Sequence, residues 1–468
     1  MGASYCTVVD LADGYSKQGL DPVMVTEAAL DAARAAQSAY NAISVIDERC
    51  LLAAEESRKR FATGAARGPL DGVPVTVKDS FHCEGLPRWH GSAVHDGLPV
   101  STFDSAPVQR LREAGGIVIA KTTMPDFGAL ASGVSSQFGV ITNPWDTSLT
   151  PGGSSSGAAA ALAAGVSPIA LGTDIGGSVR IPAAHCGLAA IKPTQGRIAY
   201  APASMTRSAG AMARSAFDLE TLLEVVGQSD PSDPWCLPGG FTAATWGVQR
   251  VRGMRISLLT DMGYGLPADR ETLDVVTRAA DRLASWGAQV RDLRLDLTDS
   301  DFEALDLTFK LRVLAELDSA PKARRGYLLD VVKTWSETAR RTLATESTLA
   351  ALAVEKARDR VIAATADCDV VLSPVLPVPT FPADQVGPCV DVPPTYHASF
   401  TPWFSQTGQP AATICGGRTA ATGMPIGIQI VGQRFRDAEV LRLAVLLEEA
   451  LDVDLPWPCL ADPVGCHD

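Results

Sequence analysis

Two neighbouring stretches decide how this chain is read: Gly152-Gly-Ser-Ser-Ser-Gly-Ala-Ala-Ala-Ala-Leu-Ala-Ala-Gly165 and Gly172-Thr-Asp-Ile-Gly-Gly-Ser-Val-Arg-Ile-Pro182. The first opens with nothing larger than a hydroxymethyl side chain and runs on as a small-residue helix. The second sets Gly176 and Gly177 directly ahead of Ser178. A flexible Gly/Ser linker does not run straight into an apolar helix and strand. A phosphate-cradling loop needs Lys-Ser or Lys-Thr after its last glycine, whereas Gly157 is followed by Ala158; no GxGxxG fingerprint follows a strand either. Nucleophilic catalysis fits best. A turn without Cβ atoms lets backbone N–H groups aim at a reacting carbonyl oxygen beside the Ser178 hydroxyl.

A serine nucleophile needs a base within hydrogen-bond reach. His185 lies seven residues beyond Ser178 and reads as a packed histidine. A lysine can serve when burial leaves it neutral. Lys78 ends the apolar run Val73-Pro-Val-Thr-Val, an unusual place for a solvated charge. Taken alone it reads as a snorkelling surface lysine; in company with the two serine segments it becomes the candidate base.

Further out, Val73–Lys78 and Gly116–Ala120 read as strands and Ala106–Ala114 as a helix capped by Asp104 or Ser105, a βαβ unit pointing to an α/β fold. Residues 22–60 read as helical, as does most of 300–365. Strands are expected at Arg255–Thr260, Gln289–Leu295, Asp369–Ser373, Ala412–Cys415 and Ile426–Val431, with a helix at Asp437–Leu451, and loops at 227–248 and 374–400. The plan is a helical lead over 1–65 and one domain over 66–460 with a helical excursion at about 300–365.

Composition narrows the class. Of 468 residues 46% are hydrophobic and 20% charged, which excludes a disordered chain. The net charge of −13 argues against direct binding to nucleic acid or to anionic membranes. Ala158–Leu171, the longest stretch of low polarity, is too short and too broken to span a membrane. The start, Met1-Gly-Ala-Ser-Tyr-Cys, has no basic and apolar leader pattern, so a cytoplasmic location is expected. Ten scattered cysteines without a CxxC pair read as free thiols.

Together Lys78, the Gly152–Gly157 run and the segment Gly172–Gly187 resemble the amidase signature family. Ser154 and Ser178 stand 24 apart and Lys78 stands 76 before Ser154, in keeping with that family. Gly68-Pro-Leu-Asp-Gly-Val-Pro-Val-Thr-Val-Lys-Asp79, Lys121-Thr-Thr-Met-Pro-Asp-Phe-Gly128, Lys192-Pro-Thr-Gln-Gly-Arg197 and Pro425-Ile-Gly-Ile-Gln-Ile-Val-Gly432 extend the likeness.

The resemblance implies a large mixed β-sheet sandwiched between layers of α-helices, and a Ser–cis-Ser–Lys triad of Ser178, Ser154 and Lys78. It implies an oxyanion hole from the N–H groups of Ile175, Gly176, Gly177 and Ser178. Ser155 becomes a supporting hydroxyl on Lys78, Gly128 a carbonyl acceptor near Ser154, and Asp174 and Arg180 a structural pair, with a substrate carboxylate as the other option for Arg180. Pocket candidates are Phe81, Trp89, Met124, Phe127, Trp403 and Phe404. Trp89-His90 stands where family members often carry Thr before the Gly91-Ser92 pair. No cofactor is expected, and His82, Cys83, His90 and His95 match no standard zinc spacing. The expected substrate is a small-molecule amide or carbamate, and the expected state a monomer or homodimer. Alternatives are acidic or urea-derived amides, or service as the glutaminase subunit of a tRNA-dependent amidotransferase.

Overall fold

The computed structural model describes residues 6–460 except 18, 201, 202, 205, 390 and 459; Cys459 and Cys466 lie outside the described residues. In chain order its strands are β1 (Ile43–Ile46), β2 (Pro74–Lys78), β3 (Ile117–Thr122), β4 (Val134–Ser135), β5 (Gly139–Val140), β6 (Ile169–Asp174) and β7 (Ala189–Lys192). They continue as β8 (Ser208–Ala213), β9 (Arg255–Leu258), β10 (Gln289–Asp292), β11 (Val370–Pro374), β12 (Ala411–Arg418) and β13 (Pro425–Gly432). β4 and β5 pair with each other. The other eleven form one sheet in the order β1-β3-β2-β6-β8-β7-β12-β13-β11-β9-β10. Its β3-β2-β6 and β11-β9-β10 segments are parallel and the rest antiparallel.

Alternation along the strands shows how the sheet is covered. Val75 and Val77 of β2, Ile169 and Leu171 of β6, and Ala209 and Ala211 of β8 join one apolar cluster with helices Ala106–Glu113, Ala216–Val226, Arg270–Ser285 and Asp437–Leu451. Ala170 and Met212 point the other way, onto helices Ser156–Ala163 and Arg180–Cys186. Both faces are therefore packed, the mixed α/β sandwich implied by the signature segments. The small-residue helix has a steric reason: every residue of Ser156–Ala163 is buried, and a Cβ at Gly157 would lie 2.2 Å from the carbonyl oxygen of Ala42 and 2.3 Å from Thr123 Oγ1.

Local differences have local causes. The helical stretch read over 22–60 is split into Pro22–Tyr40 and Cys50–Ala62 by β1, which adds an antiparallel edge to β3. The Ser105 hydroxyl accepts from His82 N–H at 2.9 Å and Asp104 from Glu84 N–H at 2.8 Å, so neither side chain caps the helix at Ala106. In the excursion, helices Asp299–Ser319, Asp330–Glu337 and Ala344–Thr365 build two further apolar clusters, one of which includes Phe127 and Leu130. No helix among the described residues is long and apolar enough to cross a membrane.

Candidate active site

β2 and β6 are parallel neighbours in register at Val77 and Leu171, so their carboxyl ends, Lys78 and Asp174, emerge side by side. Ligands of α/β sheets bind at such ends. Lys78 follows Thr76 on the side opposite Val75 and Val77, beneath the helix that begins after Ser154 and Ser155. Its Nζ lies 2.8 Å from Ser154 Oγ and 3.4 Å from the carbonyl of Thr173. The side chain is wholly buried, and it forms no ion pair among the described residues. Burial pulls the amine down to about 7; Asp174 pulls the other way, and the charge of Arg207 adds to the fall. The 2.8 Å separation is within proton-transfer distance of the Ser154 hydroxyl. The peptide bond Gly153–Ser154 is cis. Gly128 stands beside the same hydroxyl, since a Cβ on it would lie 3.1 Å from Ser154 Oγ.

Ser178 is held against this pair by the backbone: Ser155 N–H donates to the Ser178 carbonyl at 3.0 Å. The turn before it is stretched around Asp174. Asp174 accepts from Gly177 N–H at 2.8 Å and Val179 N–H at 3.3 Å. Thr401 Oγ1 donates to the Gly176 carbonyl at 2.6 Å. Gly177 has φ +121°, and a Cβ there would meet Thr401 Oγ1 at 2.3 Å, so glycine is required twice over. The expected set of four oxyanion donors is thereby reduced, because the Gly177 N–H is already spent on Asp174. The N–H groups of Ile175, Gly176 and Ser178 have no acceptor among the described residues.

Arg180 uses all five of its N–H donors inside the protein. They go to both Asp174 oxygens (2.8 and 3.0 Å), the Thr401 carbonyl (3.0 Å), Gln429 Oε1 (2.6 Å) and Ser405 Oγ (2.8 Å). None is left for a substrate carboxylate, and that option for Arg180 falls. Burial pushes the Asp174 carboxyl up, but Arg180 wins and holds it at about 2. Ser155 does not bond Lys78. Its hydroxyl faces Gly172 of β6, where a Cβ would come within 2.8 Å, and it has no hydrogen-bond partner among the described residues.

The site opens into a cleft of ≈ 800 Å³, its mouth included, whose lining takes in Gly153, Ile175, Gly176 and Ser178. Of the expected pocket side chains, Phe127 lines it. Phe81 sits in the core against Tyr200, and Trp89 packs edge-on to Phe138. Met124 is buried behind Gly128, outside the lining. Trp403 and Phe404 are fully buried in the cluster behind the wall, where the Trp403 indole N–H donates to Tyr264 Oη at 2.9 Å. The walls come instead from Tyr264, Trp335 and the helix Asp299–Ser319, whose Phe302, Leu305, Phe309, Arg312, Val313 and Glu316 form one stripe. Spacing of three and four along that helix was the available signal. His82 meets Ser101 Oγ at 3.0 Å, His90 pairs with Glu316, His95 meets the Trp89 carbonyl at 3.0 Å, and His185 packs against Phe381. Among the described residues no group of three or more His, Cys, Asp or Glu side chains is placed to hold a metal ion.

A model of the Amidase family matches residues 24–441, and the chain belongs to that family, the amidase signature enzymes, which act on carbon–nitrogen bonds. It is 31% identical to a glutamyl-tRNA(Gln) amidotransferase subunit of Geobacter metallireducens, over 95% of this chain and 97% of the relative. Its fold superposes on a bacterial aryl acylamidase of the amidase signature family with a TM-score of 0.85, at 22% identity, over 95% of this chain and 96% of the other. The native peptide amidase of Stenotrophomonas maltophilia superposes with a TM-score of 0.81, at 26% identity, over 97% and 99%.

Proposed function

We propose that this enzyme hydrolyses a small-molecule amide or carbamate through an acyl-enzyme on Ser178. The supporting observation is the buried Lys78 amine, 2.8 Å from Ser154 Oγ and titrating near neutrality. Ser178 Oγ attacks the carbonyl carbon while its proton passes to Ser154, and the Ser154 proton passes to neutral Lys78. The N–H groups of Ile175, Gly176 and Ser178 face the negative oxygen of the tetrahedral intermediate. Collapse breaks the C–N bond, and the proton returns through Ser154 to the departing amine. Water then repeats the sequence, releasing the acid and free Ser178. Asp174 and Arg180 fix the turn without touching the substrate, and Gly128 borders the relay. The apolar walls at Phe127, Phe302, Phe309 and Trp335 suit an aryl or alkyl group. Buried thiols at Cys50, Cys83, Cys186, Cys368 and Cys415 suit a reducing cytoplasm.

Similarity to glutamyl-tRNA(Gln) amidotransferase subunits favours a second reading, the glutaminase component of a tRNA-dependent amidotransferase. One panel separates them: aryl amides, alkyl amides, aryl carbamates, ureas and glutamine, offered to the purified chain and to Ser178→Ala. Release of amine from aryl or alkyl amides by the lone chain supports the first reading. Turnover of glutamine alone, and only with partner subunits, supports the second. Turnover surviving in Ser178→Ala removes the nucleophile from both.

A further inference from the structure

We propose that Arg312 recognises a carboxylate carried by the amide substrate, so that the preferred substrates join a hydrolysable amide to an anionic group through an apolar segment. This rests on the hydrolase reading of the cleft and names its substrate class.

Arg312 lies on the inward stripe of helix Asp299–Ser319 and lines the same cleft as Ser178. Among the described residues its guanidinium donates no hydrogen bond and forms no ion pair. The carboxylates around it are engaged elsewhere. Asp306, inward on the same helix, is held by Lys310 at 2.8 Å, the Trp335 indole N–H at 3.0 Å and Thr395 Oγ1 at 3.2 Å. Glu316, one turn on, is hydrogen-bonded to His90, and Arg88 and His95 act on it from the neighbouring loop. Arg88 itself lines an adjacent depression with His82 and His95, not the Ser178 cleft.

The Arg312 guanidinium is half-buried in a cleft walled largely by aromatic and aliphatic side chains, with no anion in direct contact, an arrangement that costs free energy. Burial and the nearby charge of Arg207 lower it to about 10, against the pull of Glu316. A planar carboxylate offers two acceptors in the geometry of the guanidinium fork. The lining of the cleft thus combines three kinds of group: the hydroxyl and amide N–H groups around Ser178, a cation at Arg312, and apolar side chains such as Phe309 and Phe127.

The test compares kcat/KM within matched pairs. Glutaric acid mono-4-nitroanilide is set against pentanoic acid 4-nitroanilide, and 4-acetamidobenzoate against 4-methylacetanilide, so the charge is placed on the acyl or the amine side. Wild type is expected to favour the charged member of at least one pair by about ten-fold or more. Arg312→Gln should abolish that ratio, chiefly through KM, and Arg312→Lys should restore part of it. A second arm reads binding without turnover: calorimetry of 4-phenylbutyrate against 4-phenylbutanol on Ser178→Ala, with and without Arg312→Gln. Carboxylate preference absent from wild type in both arms, or undiminished in Arg312→Gln, overturns the proposal. Carboxylate binding that depends on Arg312 without hydrolysis of any amide would instead sink the hydrolase reading and leave Arg312 standing.

Discussion

Lys78 is a cation-forming group placed where a cation is poorly tolerated. Among the described residues no carboxylate lies within ion-pair distance, and its one side-chain hydrogen-bond partner is a neutral hydroxyl. Its folded-state value near 7 lies well below that of a free lysine, so the charged form dominates below about pH 7 and the neutral base above it. A rate that depends on neutral Lys78 should rise with pH through about 7 and level off beyond. Stopped assays of kcat/KM between pH 5 and 9 check this, and a profile flat across that span would contradict it. Lys78→Met should lower kcat by about 10²–10⁴-fold, the range of a lost general base, with near-normal thermal stability because the methionine fills the same dry space. Ser178 stood out in the sequence by the glycines ahead of it, whereas Lys78 taken alone reads as a snorkelling surface lysine; it was the family resemblance that set Lys78 and Ser154 beside Ser178. Arg312 did not stand out. An arginine on a helix rich in Asp and Glu reads as a solvated face until the neighbouring elements show which side is inward.

At the scale of elements the same blindness applies to size and side. β8, Ser-Ala-Gly-Ala-Met-Ala, lacks β-branched residues and reads poorly as a strand, yet every residue of it is buried between the covering helices and it pairs on both edges; its place in the sheet makes it a central strand. Trp403 and Phe404 look like pocket walls by composition, yet they form the backing on which Tyr264 is mounted. The large periodic elements were plain: Asp437–Leu451 has the boundaries that its pattern predicts. That helix carries a liability. Glu448 is half-buried, accepts from Ala216 N–H at 2.8 Å at the start of helix Ala216–Val226, and loss of solvent raises its carboxyl from 4.5 to about 7 despite this bond. An acid raised in this way is more easily protonated folded than unfolded, so its favourable contribution is complete below about pH 4.5 and lost as pH climbs to 7. Glu448→Gln keeps an acceptor without a charge. It should raise stability at pH 8 by about 1–3 kcal/mol and make little difference at pH 4.5. Urea melts at the two pH values decide it; an equal effect at both would mean the charge is not the cause.

Across the whole molecule, Arg180 joins parts of the chain that are far apart in sequence. It ties the end of β6 to the Thr401–Ser405 segment and to Gln429 of β13, 249 residues further on. Gln429 in turn donates to Ser373 Oγ of β11 and to the Phe400 carbonyl. Arg180→Met would leave Asp174 charged, buried and without its cation, a loss of about 3–5 kcal/mol. It should appear as a lower urea midpoint at unchanged slope; a midpoint within error of wild type would show that the node is dispensable. This wiring also has a meaning in time. Lys78, Ser154 and Ser178 leave the ribosome long before β13 does, but the turn that presents Ser178 is braced by residues 401 and 429. A nascent chain that already holds all three of these residues therefore lacks the brace that shapes the turn before Ser178. The turn takes its final form only after most of the polypeptide has been made, and the sheet has to close around contacts of long sequence separation, which fold slowly.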